Sequence, residues 1–138
     1  MAANLAPIFP LTPVIGIATL TTPTAITSRA NITGTTGLVQ LTATSTNGTK
    51  VPLITVKAKA TSVATNLFVW IYNGTTSYLF DEIAIPVQTA STTGESYFVA
   101  KNYELLYGAS IVLPPTYQLY VSVSIQQDLN VFAHGGTY

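Results

Sequence analysis

The stretch Ile54–Thr61, with the sequence ITVKAKAT, decides the fold class because apolar and polar residues alternate in it without a break. Isoleucine, valine and alanine fill the even-numbered positions, and threonine or lysine fills the odd-numbered ones. A period of two residues is typical of a β-strand with one buried face and one solvent face. The same alternation runs through Val39–Thr44 and Leu119–Gln126, which predicts two further strands of this kind.

Other segments extend the β pattern in both directions. Leu67–Tyr72 is apolar throughout, which predicts a central strand covered on both faces. The pairs Asn47–Gly48 and Asn73–Gly74 predict hairpin turns, because both residue types tolerate positive φ. Tyr97–Leu106 is interpreted as a strand, and no segment is a convincing helix. The remaining strand-like runs are Val14–Leu20, Tyr78–Ile85, Ile111–Leu113 and Val131–Phe132.

The composition supports the same fold class. The chain has 138 residues, which fits one domain. Threonine, valine and isoleucine number 23, 12 and 11, whereas Glu, Lys, Arg and Gln, which usually coat helix surfaces, total only 13. We therefore expect an all-β fold, a jelly-roll-like β-sandwich of about eight strands, over residues 14–138.

Residues 1–13 form a distinct opening segment, in which apolar side chains stand among three prolines. Proline at this density prevents both a helix and a central strand, so we expect an extended Pro-rich arm. Such an arm lies along a groove, either on its own domain or on a neighbour, and the sequence leaves both open. The candidate contact residues are Leu5, Pro7, Ile8, Phe9, Pro10 and Leu11.

Charge is scarce, since five basic residues balance five acidic ones and only 7% of residues are charged. A neutral chain has no electrostatic footprint for nucleic acid or for an anionic membrane, so neither partner is expected. A surface with so few charges resists self-association poorly. This favours a protein that works inside an assembly, with a monomer wetted by threonine hydroxyls as the alternative.

The residues that usually carry catalysis are almost absent, so neither an enzyme nor a cofactor is expected. The chain has no cysteine and one histidine, His134, next to Gly135–Gly136, which we interpret as a loosened C-terminal tail. Asp81 and Glu82 are adjacent, and in a strand they point to opposite faces and cannot form a carboxylate dyad. Asp81 shares the parity of inward residues, but an edge-strand charge that hinders aggregation is the favoured interpretation. The eight tyrosines fit cross-strand packing better than a carbohydrate groove.

Six segments resemble a family of small proteins that are encoded near the capsid genes of tailed phages and prophages. They cover both ends and the middle of the chain: Met1–Pro13, Val51–Ala60, Asn66–Gly74, Leu79–Ile83, Leu113–Tyr117 and Phe132–Tyr138. The family's tail ends in Gly-Gly-Asp-Tyr, and here Thr137 stands at the acidic position.

The resemblance implies a head decoration or cement protein of jelly-roll type. Such a protein would sit as a homotrimer on the exterior of the virion capsid and clamp subunits of the major capsid protein, with the arm as a capsid or inter-protomer contact. A receptor- or glycan-binding module of a phage tail fibre or spike is the alternative. A cellular lectin-like or adhesin domain is a third class.

Overall fold

The computed structural model describes residues 12–87, 89 and 98–138. In this part of the chain the strands account for nearly all regular structure, and the expectation of an all-β protein is confirmed. The strands are β1 (Thr12–Leu20), β2 (Ile32–Thr33), β3 (Val39–Gln40), β4 (Thr49–Ala58), β5 (Thr65–Tyr72), β6 (Thr76–Ile85), β7 (Phe98–Asn102), β8 (Ile111–Leu113), β9 (Gln118–Val123) and β10 (Leu129–Thr137). A short helix, α1 (Tyr103–Tyr107), lies between β7 and β8.

The strands form two five-stranded sheets, in which neighbouring strands are antiparallel. Sheet A has the order β1-β10-β4-β7, with β8 also paired to β4, and sheet B has the order β2-β6-β5-β9-β3. The inner faces of the two sheets share one hydrophobic core, as in a β-sandwich-like fold. Fully buried core residues from both sheets include Leu20, Ile54, Leu67, Val69, Leu119 and Leu129.

The alternation that predicted β4 is present in the structure as far as Ala58, where the strand ends, whereas Ala60 is exposed. Ile54 and Val56 are buried in the core, and Thr55 and Lys57 alternate with them on the outer face of sheet A. Strand β10 pairs with β4 in the same parity, so that its Val131 also faces the core. The buried and outer faces of sheet A are therefore set by a simple period of two.

Strand β5 is central in sheet B and is covered on both faces, as its apolar sequence predicted. Val69 belongs to the core between the sheets, whereas Phe68 and Trp70 are buried on the opposite face. The indole Nε1 of Trp70 donates a hydrogen bond to Ser122 Oγ at 2.9 Å, and the Arg29 guanidinium lies 5.5 Å from the Phe68 ring centroid. Arg29, from the connection between β1 and β2, thus lies over the outer face of sheet B.

One of the two predicted hairpin turns is confirmed and the other is wrong. Asn73–Gly74 joins β5 to β6, and Asn73 Oδ1 accepts hydrogen bonds from the N–H groups of Thr75 and Thr76. Asn47–Gly48 makes no hairpin, because β3 pairs with β9 in sheet B while β4 pairs with β10 in sheet A. Gly48 does have a positive φ of 97°, but its turn carries the chain from one sheet to the other.

The prediction that Tyr97–Leu106 forms a strand is wrong in its second half. Strand β7 ends at Asn102, whose side chain accepts a hydrogen bond from the Leu105 N–H and so caps α1. Gly108 ends the helix in the left-handed conformation with φ 71°. The two capping residues override the strand-like apolar content of the segment.

The described residues contain ten strands where about eight were expected, and two of the ten, β2 and β3, are only two residues long. The alternating segment Val39–Thr44 is a strand only at its start. Beyond it, the N–H groups of Leu41 and Thr42 both donate to the carbonyl of Leu119, at 2.8 and 3.2 Å, which interrupts the regular ladder.

The described residues begin at Thr12, so they include only the last two residues of the expected arm. Strand β1 begins at Thr12, two residues before the expected start of the domain, and Pro13 lies in this edge strand, where a proline is tolerated. The candidate contact residues of the arm lie outside the described residues: Leu5, Pro7, Ile8, Phe9, Pro10 and Leu11. Their contacts stay a prediction.

Candidate functional site

Helix α1 presents an apolar surface to solvent at one margin of the sandwich. Leu105 is 82% exposed, Leu106 59% and Tyr107 64%. The helix is anchored at its base, since Glu104 Oε1 lies 2.9 Å from Lys50 Nζ and accepts a hydrogen bond from Ser110 Oγ at 2.6 Å. Large exposed apolar side chains on a well-anchored element are typical of an interaction surface.

Beside the helix lies a concave site of about 270 Å³ lined by Phe80, Asp81, Tyr103 and Tyr107, which we call the aromatic groove. The Tyr103 ring stacks on Tyr107 at 6.1 Å and tilts against Phe80 at 6.0 Å between centroids. Phe80 comes from sheet B, where the register of β6 shifts between the partners of Val69 and Trp70. Such a bulge redirects a side chain, and here an exposed Phe80 reaches the tyrosines.

The base of the aromatic groove is a fully partnered polar cluster. Lys101 Nζ lies 2.6 Å from Asp81 Oδ2 and donates to the Glu82 carbonyl at 3.3 Å. The Tyr103 hydroxyl donates to the same Asp81 oxygen at 2.9 Å. The Lys101 ammonium also lies 5.9 and 5.7 Å from the ring centroids of Tyr103 and Tyr107. The positive and negative charges therefore cancel within the cluster, and the groove presents a neutral aromatic surface.

The protonation states of this cluster follow from its burial. Burial raises the pKa of the Tyr103 hydroxyl far above its usual value, and the charge of Asp81 raises it further. Burial alone lowers the pKa of Lys101, but the hydrogen bond to Asp81 and its charge outweigh that effect and the net shift is upward. Tyr103 is thus a neutral donor and Lys101 a cation at neutral pH, which suits a structural role.

The position of Asp81 differs from the favoured sequence interpretation. Asp81 pairs with Val69, a core residue, and its carboxylate contacts Lys101 of sheet A. Asp81 is therefore not an isolated charge at a strand edge. Its position agrees with the parity that it shares with the inward residues of the strand. Its neighbour Glu82 points elsewhere and binds Arg29 through two hydrogen bonds.

A second apolar area is the outer face of sheet A, defined by Ile15, Ile17, Leu53, Phe132 and His134. Ile15 and Ile17 on β1 are 60% and 59% exposed, and they pair with His134 and Phe132 of β10. Phe132 and Leu53 are half-buried. Ile15, His134 and Leu53 form one row across three strands, and Ile17 and Phe132 form the adjacent row. None of these five residues is Asp, Glu, Lys or Arg, and an exposed apolar area of this kind is suited to contact with another protein surface.

His134 lies inside this face and not in a loose tail, so that interpretation is wrong. Strand β10 continues to Thr137, and Gly135 approaches the backbone of Lys50 so closely that a Cβ would collide with its carbonyl oxygen. His134 Nε2 lies 2.9 Å from Thr55 Oγ1, and Thr55 is only 4% exposed. The histidine therefore satisfies a buried hydroxyl.

A wider cleft of about 540 Å³ lies at the ends of β5, β6 and β9. Its polar groups bond each other, since Thr65 Oγ1 lies 3.3 Å from Ser124 Oγ and donates to the Ile125 carbonyl at 3.1 Å. With these hydroxyls engaged, the cleft offers few groups to a ligand.

Over the described ranges, no group of three or more His, Asp or Glu residues comes together in a way that could hold a metal ion. Nor does any helix in these ranges have the length and apolar character to cross a membrane.

The sequence did not predict either surface as a site. The aromatic groove could have been recognised from the spacing of Tyr103 and Tyr107, which are four residues apart, between the helix-capping residues Asn102 and Gly108. The contribution of Phe80 depends on a bulge and has no sequence signal of its own.

No protein-family model, no curated protein and no solved structure matches this chain.

Proposed function

We propose that the protein is a capsid decoration protein that binds the exterior of a tailed-phage head and stabilises contacts between major capsid subunits. The observation that carries this proposal is the outer face of sheet A, where Ile15 and Ile17 are 60% and 59% exposed although they lie in a regular strand. A broad apolar face on a domain with so few charges is suited to permanent contact with a protein shell.

The finer fold assignment that goes with this function is a jelly roll. Without the short strands β2 and β8, the remaining eight strands are numbered 1 to 8 along the chain. The sheet orders then become 1-8-3-6 and 2-7-4-5, which is the order of a jelly roll. Viral capsid proteins and lectins both use this architecture, so it supports a virion protein and also agrees with a glycan-binding module.

Cementing a shell requires binding and no chemistry. A protein that binds the assembled shell and not the free subunits stabilises the shell by mass action. If three copies act as one trimer, each weak contact gains from the other two once the first has formed. The neutral polar clusters of this protein, in which acids and bases are paired with each other, agree with such a role.

The experiment is to measure the number of copies per virion in purified particles of the phage that encodes the chain, by quantitative mass spectrometry, and to locate the protein by immunogold labelling. Hundreds of copies distributed over the head are expected. A few copies at the tail would contradict the proposal and favour the tail fibre or spike alternative. Absence from virions together with glycan binding by the purified protein would favour a cellular lectin-like domain.

A further inference from the structure

The arm contains a motif whose chemistry is distinct from that of the outer face of sheet A. Residues 7–10 read Pro-Ile-Phe-Pro, and residues 1–11 contain no charged side chain. Proline fixes φ near −65°, so a Pro-x-x-Pro segment favours the extended polyproline conformation before it binds anything. Proteins recognise such segments with grooves lined by aromatic side chains, because the rings pack on proline and little conformational entropy is lost.

The aromatic groove has the complementary properties. Its walls are Phe80, Tyr103 and Tyr107, of which Phe80 and Tyr107 are exposed, and Leu105 and Leu106 are exposed on the same helix as the two tyrosines. The ion pair at its base is internally neutral, which suits a segment without charges. Phe9 is the one aromatic residue of the arm, and a concave site of about 270 Å³ with tilted rings can receive it edge to face.

We propose that the aromatic groove of one copy binds the Pro7–Pro10 segment of a second copy of this chain. The inference concerns self-association and holds whether or not the protein binds a capsid.

The point where the arm leaves the domain favours a second copy over the same chain. The arm ends at Thr12 on β1, and the groove lies beyond β7, at the opposite margin of sheet A. The two margins are three strand spacings apart, or about 14 Å. Phe9 precedes Thr12 by three residues, and its Cα reaches at most about 11 Å from that of Thr12. The Cα of Phe9 in the same copy therefore stops short of the groove.

The arrangement also determines the kind of assembly. Arm and groove are different surfaces at opposite margins, so the contact is heterologous, and each copy gives its arm to one neighbour and receives an arm from another. Heterologous contacts close into a ring when the rotation between copies allows it. A homotrimer built in this way uses three equivalent arm contacts and leaves the outer face of sheet A available.

Disulfide trapping tests this proposal on the full chain, which has no native cysteine. The double variant Ile8→Cys/Leu106→Cys is oxidised mildly and analysed on non-reducing gels, with each single variant as a control. A single cysteine can link two copies at most, so a covalent trimer requires both positions. We expect dimers and trimers that form only when both cysteines are present. A disulfide within one chain, or no disulfide that depends on both cysteines, would overturn the proposal.

A second measurement does not depend on cross-linking. Phe9→Ala and Tyr107→Ala should each weaken self-association at least about tenfold, since each removes a large apolar contact. The double variant should be no weaker than the worse single variant, because both changes remove the same contact. Val63→Ala is the matched control, because Val63 is 53% exposed and belongs neither to the arm nor to the lining of the aromatic groove. Self-association that is unchanged in both Phe9→Ala and Tyr107→Ala would also overturn the proposal.

Discussion

Asp81 Oδ2 lies 2.6 Å from Lys101 Nζ, and this ion pair ties β6 of sheet B to β7 of sheet A. Both side chains are less than one-fifth exposed, at 17% and 16%. Because Tyr103 donates to the same carboxylate, the pair also fixes the first residue of α1. The Asp81 carboxylate therefore both contacts sheet A and positions a wall of the aromatic groove.

Removing either partner should destabilise the fold, because the other charge would be left partly buried without compensation. We expect Asp81→Asn and Lys101→Met each to lower the free energy of unfolding by about 1.5–3 kcal/mol. The double variant should lose less than the sum of the two, because the contact can be lost only once. Urea unfolding of the four proteins measures this cycle, and strictly additive losses would show that the pair contributes no coupling.

Stability should fall at alkaline pH because of Tyr103. The folded-state pKa of Tyr103 is raised, so the unfolded chain loses the tyrosine proton at a lower pH than the folded chain does. The contribution of Tyr103 to the free energy of unfolding is therefore fully present below about pH 10 and is lost as the pH rises above it. The raised pKa of Lys101 has the same sign. Unfolding curves from pH 7 to 11 should be flat at first and then decline, and Tyr103→Phe should decline less steeply. An identical decline in both proteins would contradict the assignment.

His134→Ala tests the role of the single histidine. From the sequence alone this change is expected to leave folding and particle binding nearly unchanged. The contact with the buried Thr55 hydroxyl instead predicts a loss of about 1 kcal/mol in the free energy of unfolding. Replacing Thr55 by alanine in the same chain should make the histidine change nearly neutral. A metal ion that co-purifies with the protein and is lost with His134 would contradict this account.

Deleting residues 1–11 tests the arm. Light scattering of the full chain should give about three times the chain mass of 14.6 kDa, and the truncated protein should give the mass of one chain. The melting temperature of the truncated protein in dilute solution should fall only as far as loss of the trimer explains. A full chain that scatters as a monomer would contradict the trimer. The arm would instead be packed on its own domain if the truncated protein, compared as a monomer with a monomeric Tyr107→Ala variant, were much less stable.

Local patterns predicted those parts of the fold in which one residue's environment depends on its immediate neighbours. The alternation in β4 predicted the element and its buried face, because a period of two admits one solution once a core exists. The apolar run of β5 predicted a strand that is buried on both faces. The Asn73–Gly74 hairpin is equally local.

Other features depend on residues far apart in the chain and could not be predicted in this way. Asn47–Gly48 has hairpin chemistry, but whether two strands pair is decided by which sheet each one joins. The polar cluster joins Asp81 to Lys101 across two sheets, and the groove needs Phe80 to be redirected by a bulge. Helix α1 is the exception, since its capping residues were readable in the sequence.

The measurement that tests the proposed function most directly is co-sedimentation of purified protein with heads of the encoding phage from which this gene has been deleted. Ile17→Asp places a charge within the outer face of sheet A, and Val63→Asp is the matched control at a similarly exposed position. We predict that the wild-type and Val63→Asp proteins saturate the heads, whereas Ile17→Asp binds at least about tenfold more weakly with an unchanged melting temperature. Full occupancy of the heads by Ile17→Asp, or no binding by the wild-type protein, would contradict the account.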